Sequence, residues 1–325
     1  MLIPLLTAIA AFAVLVRSAD LFVAGAASIA ANLGLAPVII GLTIVSLGTS
    51  APEILVSVTA ALTGSGALAI GNAVGSNIAN IGLVLGLSVL IAPIRVHPGC
   101  MRRELPTLLL VTAGAGLLLL DTELGRGDAL LMITALLVIL ARMLRSQARD
   151  SEAAKQLGED ALPQLTPGRA GSAFAIGLLL LIGSSRVLVW AASDIAVQLG
   201  VPELVIGLTI VAVGTSLPEL AATVASALRG HCEMAMGNIV GSNLFNLLAV
   251  MAMPGLLAPG PVPENFLARD YAALCLATAL LAIAVYTGRR HRAAPARHSY
   301  LGRRIGTLFC LGYALYYYGL FRTLA

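Results

Sequence analysis

Charged residues are scarce in this chain of 325 residues. Only 11% of the residues are Asp, Glu, Lys or Arg, whereas 58% are hydrophobic and the mean hydropathy is +0.94. This balance lies outside the range of soluble proteins and predicts a membrane protein. Lysine is almost missing, since Lys155 is the single one. The net charge of +4 comes from arginines that cluster in short predicted loops, so it indicates membrane topology and no nucleic-acid partner.

The chain also lacks the patterns of redox, metal and catalytic sites. Its four cysteines (Cys100, Cys232, Cys275 and Cys310) form no Cys-x-x-Cys and no Cys/His spacing, so we interpret them as small apolar or loop residues. All four histidines fall in predicted loops, which excludes a histidine proton relay inside the membrane. The spans contain no His-Glu-x-x-His motif and no Ser/His pair, so we expect no enzyme activity and no cofactor.

Long apolar segments dominate the chain instead. Because about 20 helical residues cross the hydrocarbon core, we expect an all-α membrane protein with ten transmembrane helices, near 2–31, 37–63, 68–92, 105–121, 127–144, 171–196, 203–228, 235–258, 269–287 and 304–323. One long polar stretch divides them into five and five. We expect three regions: a first five-helix repeat, a cytoplasmic linker and a second five-helix repeat. Their bounds are 1–144, 145–170 and 171–325.

A repeated motif supports two related halves. The segment GLTIVSLGTSAPE, which begins at Gly41, returns as GLTIVAVGTSLPE from Gly207, and GNAVGSNIAN (71–80) returns as GNIVGSNLFN (237–246). The offset is 166 residues throughout, so motif 41–80 aligns with motif 207–246 without a gap. Because each half has an odd number of spans, the second enters the membrane from the opposite side. This arrangement predicts inverted repeats with a site between them near the midplane.

Arginine positions predict the orientation of the chain. If the N-terminus lies outside, the inner loops hold 15 of the 20 Lys and Arg residues, and the outer side holds only Arg126, Arg269 and Arg322. Positive charge accumulates on the cytoplasmic side of membrane proteins. Both termini are therefore predicted to be extracytoplasmic.

Two acidic residues stand inside apolar segments, Glu53 and Glu219, one in each repeat. An acidic residue at the membrane centre costs about 2.5–3.5 kcal/mol, and a cation held between the halves explains why the chain carries this cost twice. Pro52 and Pro218 precede the glutamates and lack a backbone N–H, so each predicts a helix break with freed carbonyl oxygens.

Hydroxyl and amide side chains accompany these carboxylates four residues apart, on one helix face. The pairs are Thr49 and Glu53, Thr215 and Glu219, Ser76 and Asn80, and Ser242 and Asn246. An all-oxygen set suits Ca²⁺ or Na⁺ and offers no soft ligand for zinc or copper. The alternative is that these groups bridge packed helices, and glycine pairs such as Gly82 and Gly86 are expected to be helix interfaces.

The paired GTSxPE and GNxxGSN signatures resemble those of the Ca²⁺/cation antiporter superfamily, in particular the compact prokaryotic sodium/calcium exchangers. The resemblance covers nearly the whole chain. It implies an antiporter of the prokaryotic inner membrane that exchanges Na⁺ for Ca²⁺ by alternating access. The protein would lie in the lipid bilayer and would need no obligate protein partner. During transport its first and sixth helices would move against the other eight.

The resemblance also implies a role for each motif residue. Glu53 and Glu219 would be the two central acidic ligands, and Thr49 and Thr215 would complete the Ca²⁺ site mainly through backbone oxygens. Ser76 and Ser242, with the carbonyls of Ser46 and Ala212, would form flanking Na⁺ sites. Ser50 and Ser216 would line the site, and the amides of Asn80 and Asn246 would lie beside its centre.

Asn246 separates branches of the superfamily. Many relatives, including the potassium-dependent branch, carry Asp at the matching position, so Asn246 leaves two negative charges at the centre instead of three. We therefore expect K⁺-independent exchange. The alternative is an H⁺/Ca²⁺ antiporter, although GNAVGSN and GNIVGSN do not match the acidic pattern of the proton-coupled branch. A cation channel would use similar oxygens, but most channels are symmetric oligomers around one pore.

Other charges lie within the predicted long helices. Asp20 in the first and Arg186 in the sixth are partners in the repeat. We hypothesise that they pair in at least one state; the alternative is that each extends to the membrane surface.

Overall fold

The computed structural model describes residues 2–98, 100–154, 165–200, 212–263, 265–288 and 299–324. Some predictions fall outside these ranges: the central part of the linker with Lys155, the beginning of the second motif from Gly207 to Val211, and the inner-loop arginines Arg289, Arg290, Arg292 and Arg297.

The first half is a series of helices, several of which contain a π-helical turn. They are α1 (Leu2–Leu33), α2 (Pro37–Ile40), a π segment (Gly41–Val45), α3 (Ser46–Thr49), α4 (Ala51–Leu62), α5 (Gly66–Ala79), a π segment (Asn80–Leu85), α6 (Gly86–Ile91), strand β1 (Ile94–Val96), a π segment (Cys100–Glu104), α7 (Leu105–Leu118), strand β2 (Glu123–Leu124) and α8 (Arg126–Ala154).

The second half repeats this order. Its elements are α9 (Pro167–Gln198), α10 (Ala212–Thr215), α11 (Leu217–Leu228), α12 (Cys232–Phe245), a π segment (Asn246–Val250), α13 (Ala252–Leu257), strand β3 (Gly260–Pro261), a π segment (Phe266–Tyr271), α14 (Ala272–Thr287), strand β4 (Ser299–Leu301) and α15 (Arg303–Leu324).

Length and apolar composition allow many of these helices to cross a bilayer. Five helices of the described chain meet both criteria, and α2 to α4 meet them together as one span with a 44° bend. The five are Leu2–Leu33, Gly66–Ile91, Pro167–Gln198, Cys232–Leu257 and Phe266–Thr287. The helices α7, α8, α11 and α15 lie at the other predicted spans, and α8 continues to Ala154, beyond its predicted end at 144.

Two short antiparallel strand pairs were not predicted, because two or three residues are too few to produce a recognisable alternation. In one pair β1 meets β4, with Ile94 opposite Leu301, and in the other β2 meets β3, with Leu124 opposite Gly260. Each pair joins a loop of the first half to a loop of the second. In both cases the sequence assigns the two loops to the same side of the membrane.

The two longest helices, α1 and α9, pack tightly against each other in antiparallel orientation. A Cβ atom on Gly177 would lie 2.5 Å from the backbone nitrogen of Phe22, and one on Gly25 would lie 2.8 Å from Cα of Phe174. The rings of Phe22 and Phe174 lie 4.9 Å apart between centroids. Small residues therefore let the two backbones touch, as they do at many membrane helix interfaces.

This packing keeps Asp20 and Arg186 apart in the state that the structure shows, so their pairing in another state stays a prediction. Because Phe22 faces Gly177, Asp20 faces approximately Leu179, and Arg186 lies seven residues further along α9. Seven residues correspond to about 10 Å along a helix. Asp20 instead accepts a hydrogen bond at 2.8 Å from Nε of Arg229, which follows α11. In the predicted inverted repeat, partners would lie at mirrored depths, so two off-centre partners would not meet.

Glycines also allow close contacts in the core. A Cβ atom on Gly41 would lie 2.5 Å from the Met234 carbonyl oxygen, and one on Gly237 would lie 2.5 Å from that of Val38, so the first half presses against α12 at this crossing. Gly82 and Gly86 pack against Tyr313 and Cys310 of α15, respectively, which confirms that this glycine pair is a helix interface.

Candidate ion-binding site

Both glutamates lie just after a break in a membrane helix. Ser50 and Ser216 leave the helical conformation, with φ/ψ of −83°/2° and −88°/4°, and the proline that follows each of them occupies the first turn of α4 or α11. Glu53 and Glu219 lie in those same first turns. The partial positive charge of a helix N-terminus stabilises an anion there, so the break both frees backbone oxygens and favours a carboxylate.

The side chains predicted to form the site are buried, except that of Thr215, which is half-buried. Those exposed by 5% or less are Ser46, Thr49, Ser50, Glu53, Ser76, Asn80, Ser216, Glu219, Ser242 and Asn246. Ala212 begins α10, and its side chain is outside the described part. The residues therefore lie at a depth where polar groups need partners.

Contacts between the two halves bring these residues together. The Ser50 hydroxyl donates to Oε1 of Glu219 at 3.1 Å, and the Thr49 hydroxyl donates to Oδ1 of Asn238 at 3.3 Å. Ser50 lies three residues before Glu53, so its bond brings the carboxyl group of Glu219 to the helix break that carries Glu53. The site therefore combines one helix break from each half.

The two predicted amides lie beside this centre in equivalent positions. Asn80 and Asn246 each begin a π-helical segment. The segment of Asn80 packs against α11, which carries Glu219, whereas that of Asn246 packs against α4, which carries Glu53. π-helical turns within α-helices are frequent at functional sites, and here each one begins at an amide residue and packs against the carboxylate helix of the other half.

Several buried polar atoms of the site have no hydrogen-bond partner within the described part of the protein. They are Oε2 of Glu53 and of Glu219, Oγ of Ser216 and of Ser242, and both amide atoms of Asn80 and of Asn246. Each unsatisfied buried group costs about 1–3 kcal/mol. No Lys or Arg of the described ranges is buried and able to neutralise the carboxylates. A cluster of buried oxygens without a cationic side chain is the donor set that a Na⁺ or Ca²⁺ ion would satisfy.

Ser46 and Thr49 would offer backbone rather than side-chain oxygens. The Ser46 hydroxyl donates to the carbonyl oxygen of Leu42 at 2.7 Å. The Ser46 carbonyl oxygen accepts from the Ser50 backbone N–H at 2.9 Å and lies 3.4 Å from the Thr49 hydroxyl. The single hydrogen of the Thr49 hydroxyl can go to Oδ1 of Asn238 at 3.3 Å or to the Ser46 carbonyl oxygen at 3.4 Å. That the carbonyl oxygens at these positions face the ions stays a prediction.

Four residues of this region were missed by the sequence analysis. Asn72 and Asn238 bond to the helices that carry the glutamates, through Ser57 and Thr223 respectively. A signal was present, because Asn72 and Asn238, like Ser57 and Thr223, are separated by the repeat offset of 166 residues.

Comparisons with known proteins agree with this geometry. The family model described as "Sodium/calcium exchanger protein" matches residues 3–145 and 170–322. The chain is 40% identical to CaxA, a candidate antiporter of Alkalimonas amylolytica, over 99% of both chains, and 38% identical to the inner membrane protein YrbG of Escherichia coli, over 93% of this chain and 91% of YrbG.

A solved structure extends these matches to three dimensions. The sodium-calcium exchanger NCX_Mj, soaked with Na⁺ and Ca²⁺, superposes with a TM-score of 0.81 at 29% identity, over 97% of both chains. Sequence and structure thus give the same answer as the motif resemblance. The chain is a multi-pass membrane protein that belongs to the sodium/calcium exchanger family.

Proposed function

We propose that this protein is a secondary active antiporter that exchanges Na⁺ for Ca²⁺ across the prokaryotic inner membrane by alternating access, independently of K⁺. One observation carries the proposal: Glu53 and Glu219, from two related halves, are buried together among unsatisfied oxygens. The family, and the sodium-calcium exchange named for NCX_Mj, support the same ions.

Competition for one site would couple the two fluxes. Two carboxylates neutralise one Ca²⁺ ion, and they can be neutralised instead by Na⁺ ions in overlapping positions. An empty site would carry two uncompensated buried charges through the membrane, which costs several kcal/mol per ion. The site would therefore change sides only when occupied, so Ca²⁺ moves one way as Na⁺ moves the other.

In this proposal the twelve predicted residues have distinct roles. Glu53 and Glu219 bind both ions, the backbone oxygens of Thr49 and Thr215 complete the Ca²⁺ site, and the remaining residues form the Na⁺ sites and the lining. Ser76 and Ser242, with the carbonyls of Ser46 and Ala212, hold Na⁺, Ser50 and Ser216 line the cavity, and Asn80 and Asn246 flank its centre. The Ser50–Glu219 hydrogen bond of 3.1 Å supports a lining role for Ser50.

The proposed architecture is ten spans in two inverted repeats, 1–144 and 171–325, with a cytoplasmic linker at 145–170 and both termini extracytoplasmic. The constant repeat offset and the two strand pairs between same-side loops support it. The tightly packed pair of α1 and α9 would move against the other helices. The inner-membrane name of YrbG supports the location.

Two other functions would use the same site. An H⁺/Ca²⁺ antiporter could protonate Glu53 and Glu219 in place of binding Na⁺, and this is the main alternative because both are carboxylic acids. A cation channel would conduct without counter-ion, which an inverted repeat does not favour. Asn246 argues against K⁺ co-transport, because an amide brings no third negative charge to the centre.

The coupling ion can be identified in proteoliposomes. Purified protein would be reconstituted into vesicles loaded with Na⁺, with K⁺, or with an internal acidic buffer, and Ca²⁺ uptake measured after dilution into Na⁺-free medium. We expect uptake only with internal Na⁺ and no effect of added K⁺. Uptake driven by the pH gradient alone would assign the protein to proton coupling, and uptake without any counter-ion gradient would indicate a channel.

A further inference from the structure

We infer that Asn72 and Asn238, which have no assigned role, are positioning residues that fix the helix turns carrying the site carboxylates. The inference rests on the proposed function, since it concerns the same ion site. The amide group of each asparagine bonds to the backbone carbonyl of a glutamate and to the side-chain hydroxyl of the residue one helical turn after that glutamate. Asn238 also contacts a residue of the first half.

In the first half, Asn72 on α5 bonds to α4 at two points. Its Nδ2 lies 3.1 Å from the carbonyl oxygen of Glu53 and 3.1 Å from Oγ of Ser57. An amide nitrogen carries two hydrogens, so it can donate to both oxygens at once. Glu53 and Ser57 are four residues apart and share a helix face. The amide thus bonds to both residues and holds α4 against α5 just after the helix break.

In the second half, Asn238 on α12 repeats this pattern on α11. Its Nδ2 lies 3.4 Å from the carbonyl oxygen of Glu219 and 2.9 Å from Oγ1 of Thr223. Asn238 and Thr223 are both completely buried. Two copies of one hydrogen-bond pattern, at residues separated by the repeat offset, indicate a shared task rather than a local packing accident.

The two copies of the hydrogen-bond pattern differ in the residue that supplies the hydroxyl group. Ser57 in the first half corresponds to Thr223 in the second, so the methyl group changes while the hydroxyl oxygen and its bond to the amide are both kept. The hydroxyl is therefore the group that the pattern requires.

Asn238 has an additional partner across the interface. Its Oδ1 accepts the hydrogen bond from the Thr49 hydroxyl at 3.3 Å. One amide therefore fixes the turn of Glu219 and the side chain of Thr49, whose backbone oxygen is proposed to face the ion. An Asp side chain could accept from Thr49 but, when ionised, could not donate to α11, which explains why an amide suits this position.

Replacing Thr223, the hydroxyl partner of Asn238, with a residue of the same shape tests the inference without introducing a cavity at the asparagine. Thr223→Val removes the acceptor and keeps the shape, Thr223→Ser keeps the acceptor as in the first half, and Asn238→Ala removes the amide. Thr278→Val is the matched control, because Thr278 is equally buried but donates to Leu274 within its own helix. The Ca²⁺ dissociation constant of the purified protein and the ratio of its Ca²⁺ to Sr²⁺ affinity would be measured, since neither depends on the amount of folded protein.

We expect Thr223→Val and Asn238→Ala to weaken Ca²⁺ binding about tenfold, which corresponds to about 1.4 kcal/mol, and to change the Ca²⁺/Sr²⁺ ratio. Thr223→Ser and Thr278→Val should keep wild-type binding. The inference is wrong if Thr223→Val binds both ions as Thr278→Val does. If Asn238→Ala does not fold, the comparison of Val with Ser at position 223 still decides. Wild-type protein that binds no Ca²⁺ would refute the proposed function instead. Ca²⁺ binding by the wild type is therefore measured before any variant is compared.

Discussion

Position 246 sets how much charge the centre of the site carries. Asn246 is buried, and both of its amide atoms lack a partner among the described residues. An amide oxygen can bind a cation without adding charge, so Glu53 and Glu219 remain the two negative groups. This single residue is the physical reason for expecting Ca²⁺ exchange without a further monovalent cation.

Replacing Asn246 with Asp should therefore change the ion requirement. A third buried carboxylate must be compensated by another positive charge, so we expect Asn246→Asp to make Ca²⁺ exchange depend more steeply on Na⁺ concentration. The measurement is the Hill coefficient of Na⁺-driven Ca²⁺ uptake in proteoliposomes. Asn32→Asp, which adds the same charge at an exposed position on α1, is the control. An unchanged Na⁺ dependence in Asn246→Asp would contradict the charge argument.

At the scale of elements, the α1–α9 pair depends on glycine at its crossing. A methyl group at Gly177 would meet backbone atoms of Phe22, which cannot rotate away as a side chain could. We expect Gly177→Ala to push the helices apart and to destabilise the protein by about 1–3 kcal/mol, seen as a lower melting temperature in detergent and slower exchange. Gly183→Ala, on the same helix with no atom within 4 Å of the added methyl group, should do neither; equal effects of the two would contradict tight packing at Gly177.

The ion pair between Asp20 and Arg229 connects the α1–α9 pair to α11. Both side chains are partly exposed, at 52% and 33%, so the pair contributes about 0.2–1 kcal/mol. Burial, reinforced by the charge of Arg229, lowers the pKa of the neighbouring His231. His231 therefore stays neutral at pH 7, and Arg229 supplies the charge that faces Asp20.

Breaking this pair should alter transport more than stability. We expect Asp20→Asn to change the exchange rate while the melting temperature hardly moves, because the pair would favour one state of the cycle if α1 moves against α11 as proposed. The reversed pair, Asp20→Arg with Arg229→Asp, should restore the rate. Asp194→Asn is the control, since Asp194 accepts from Gln198 on its own helix. Strictly additive effects of the two reversals would show that the pair has no such role.

The sequence predicted elements better than it predicted their contacts. Apolar length placed the helices, and proline predicted the breaks before Glu53 and Glu219, because both effects are local. The partner of Asp20 and the bonds of Asn238 depend on helix register and on contacts more than a hundred residues apart in the chain. The π segments at Asn80 and Asn246 have no composition signal. Repeat offset was the one long-range clue, but in this structure Asp20 pairs with Arg229 and not with its repeat partner Arg186.

For the whole molecule, the arginine distribution predicts which side of the membrane each loop occupies, and each strand pair joins two loops that this prediction places on the same side. The loops joined by β1 and β4 carry Arg95 and lie beside Arg303, whereas β2 and β3 join the loops near Arg126 and Arg269. We expect alkaline phosphatase fused after the C-terminus to be active in cells, because that end would be extracytoplasmic. The same enzyme fused after Ala154, in the proposed linker, should be inactive. The opposite result would reverse the assigned orientation.

The most direct test of the central claim is Na⁺-driven Ca²⁺ uptake by wild-type protein beside Glu53→Gln and Glu219→Gln, in proteoliposomes with matched amounts of inserted protein. Glu233→Gln is the matched control, because Glu233 pairs with His97 at the start of α12, away from the site. Each site variant should lose Ca²⁺ uptake, since one carboxylate cannot offset a buried Ca²⁺ ion, while wild type and the control take up Ca²⁺ only when Na⁺ is inside. Full uptake by either site variant would contradict the account.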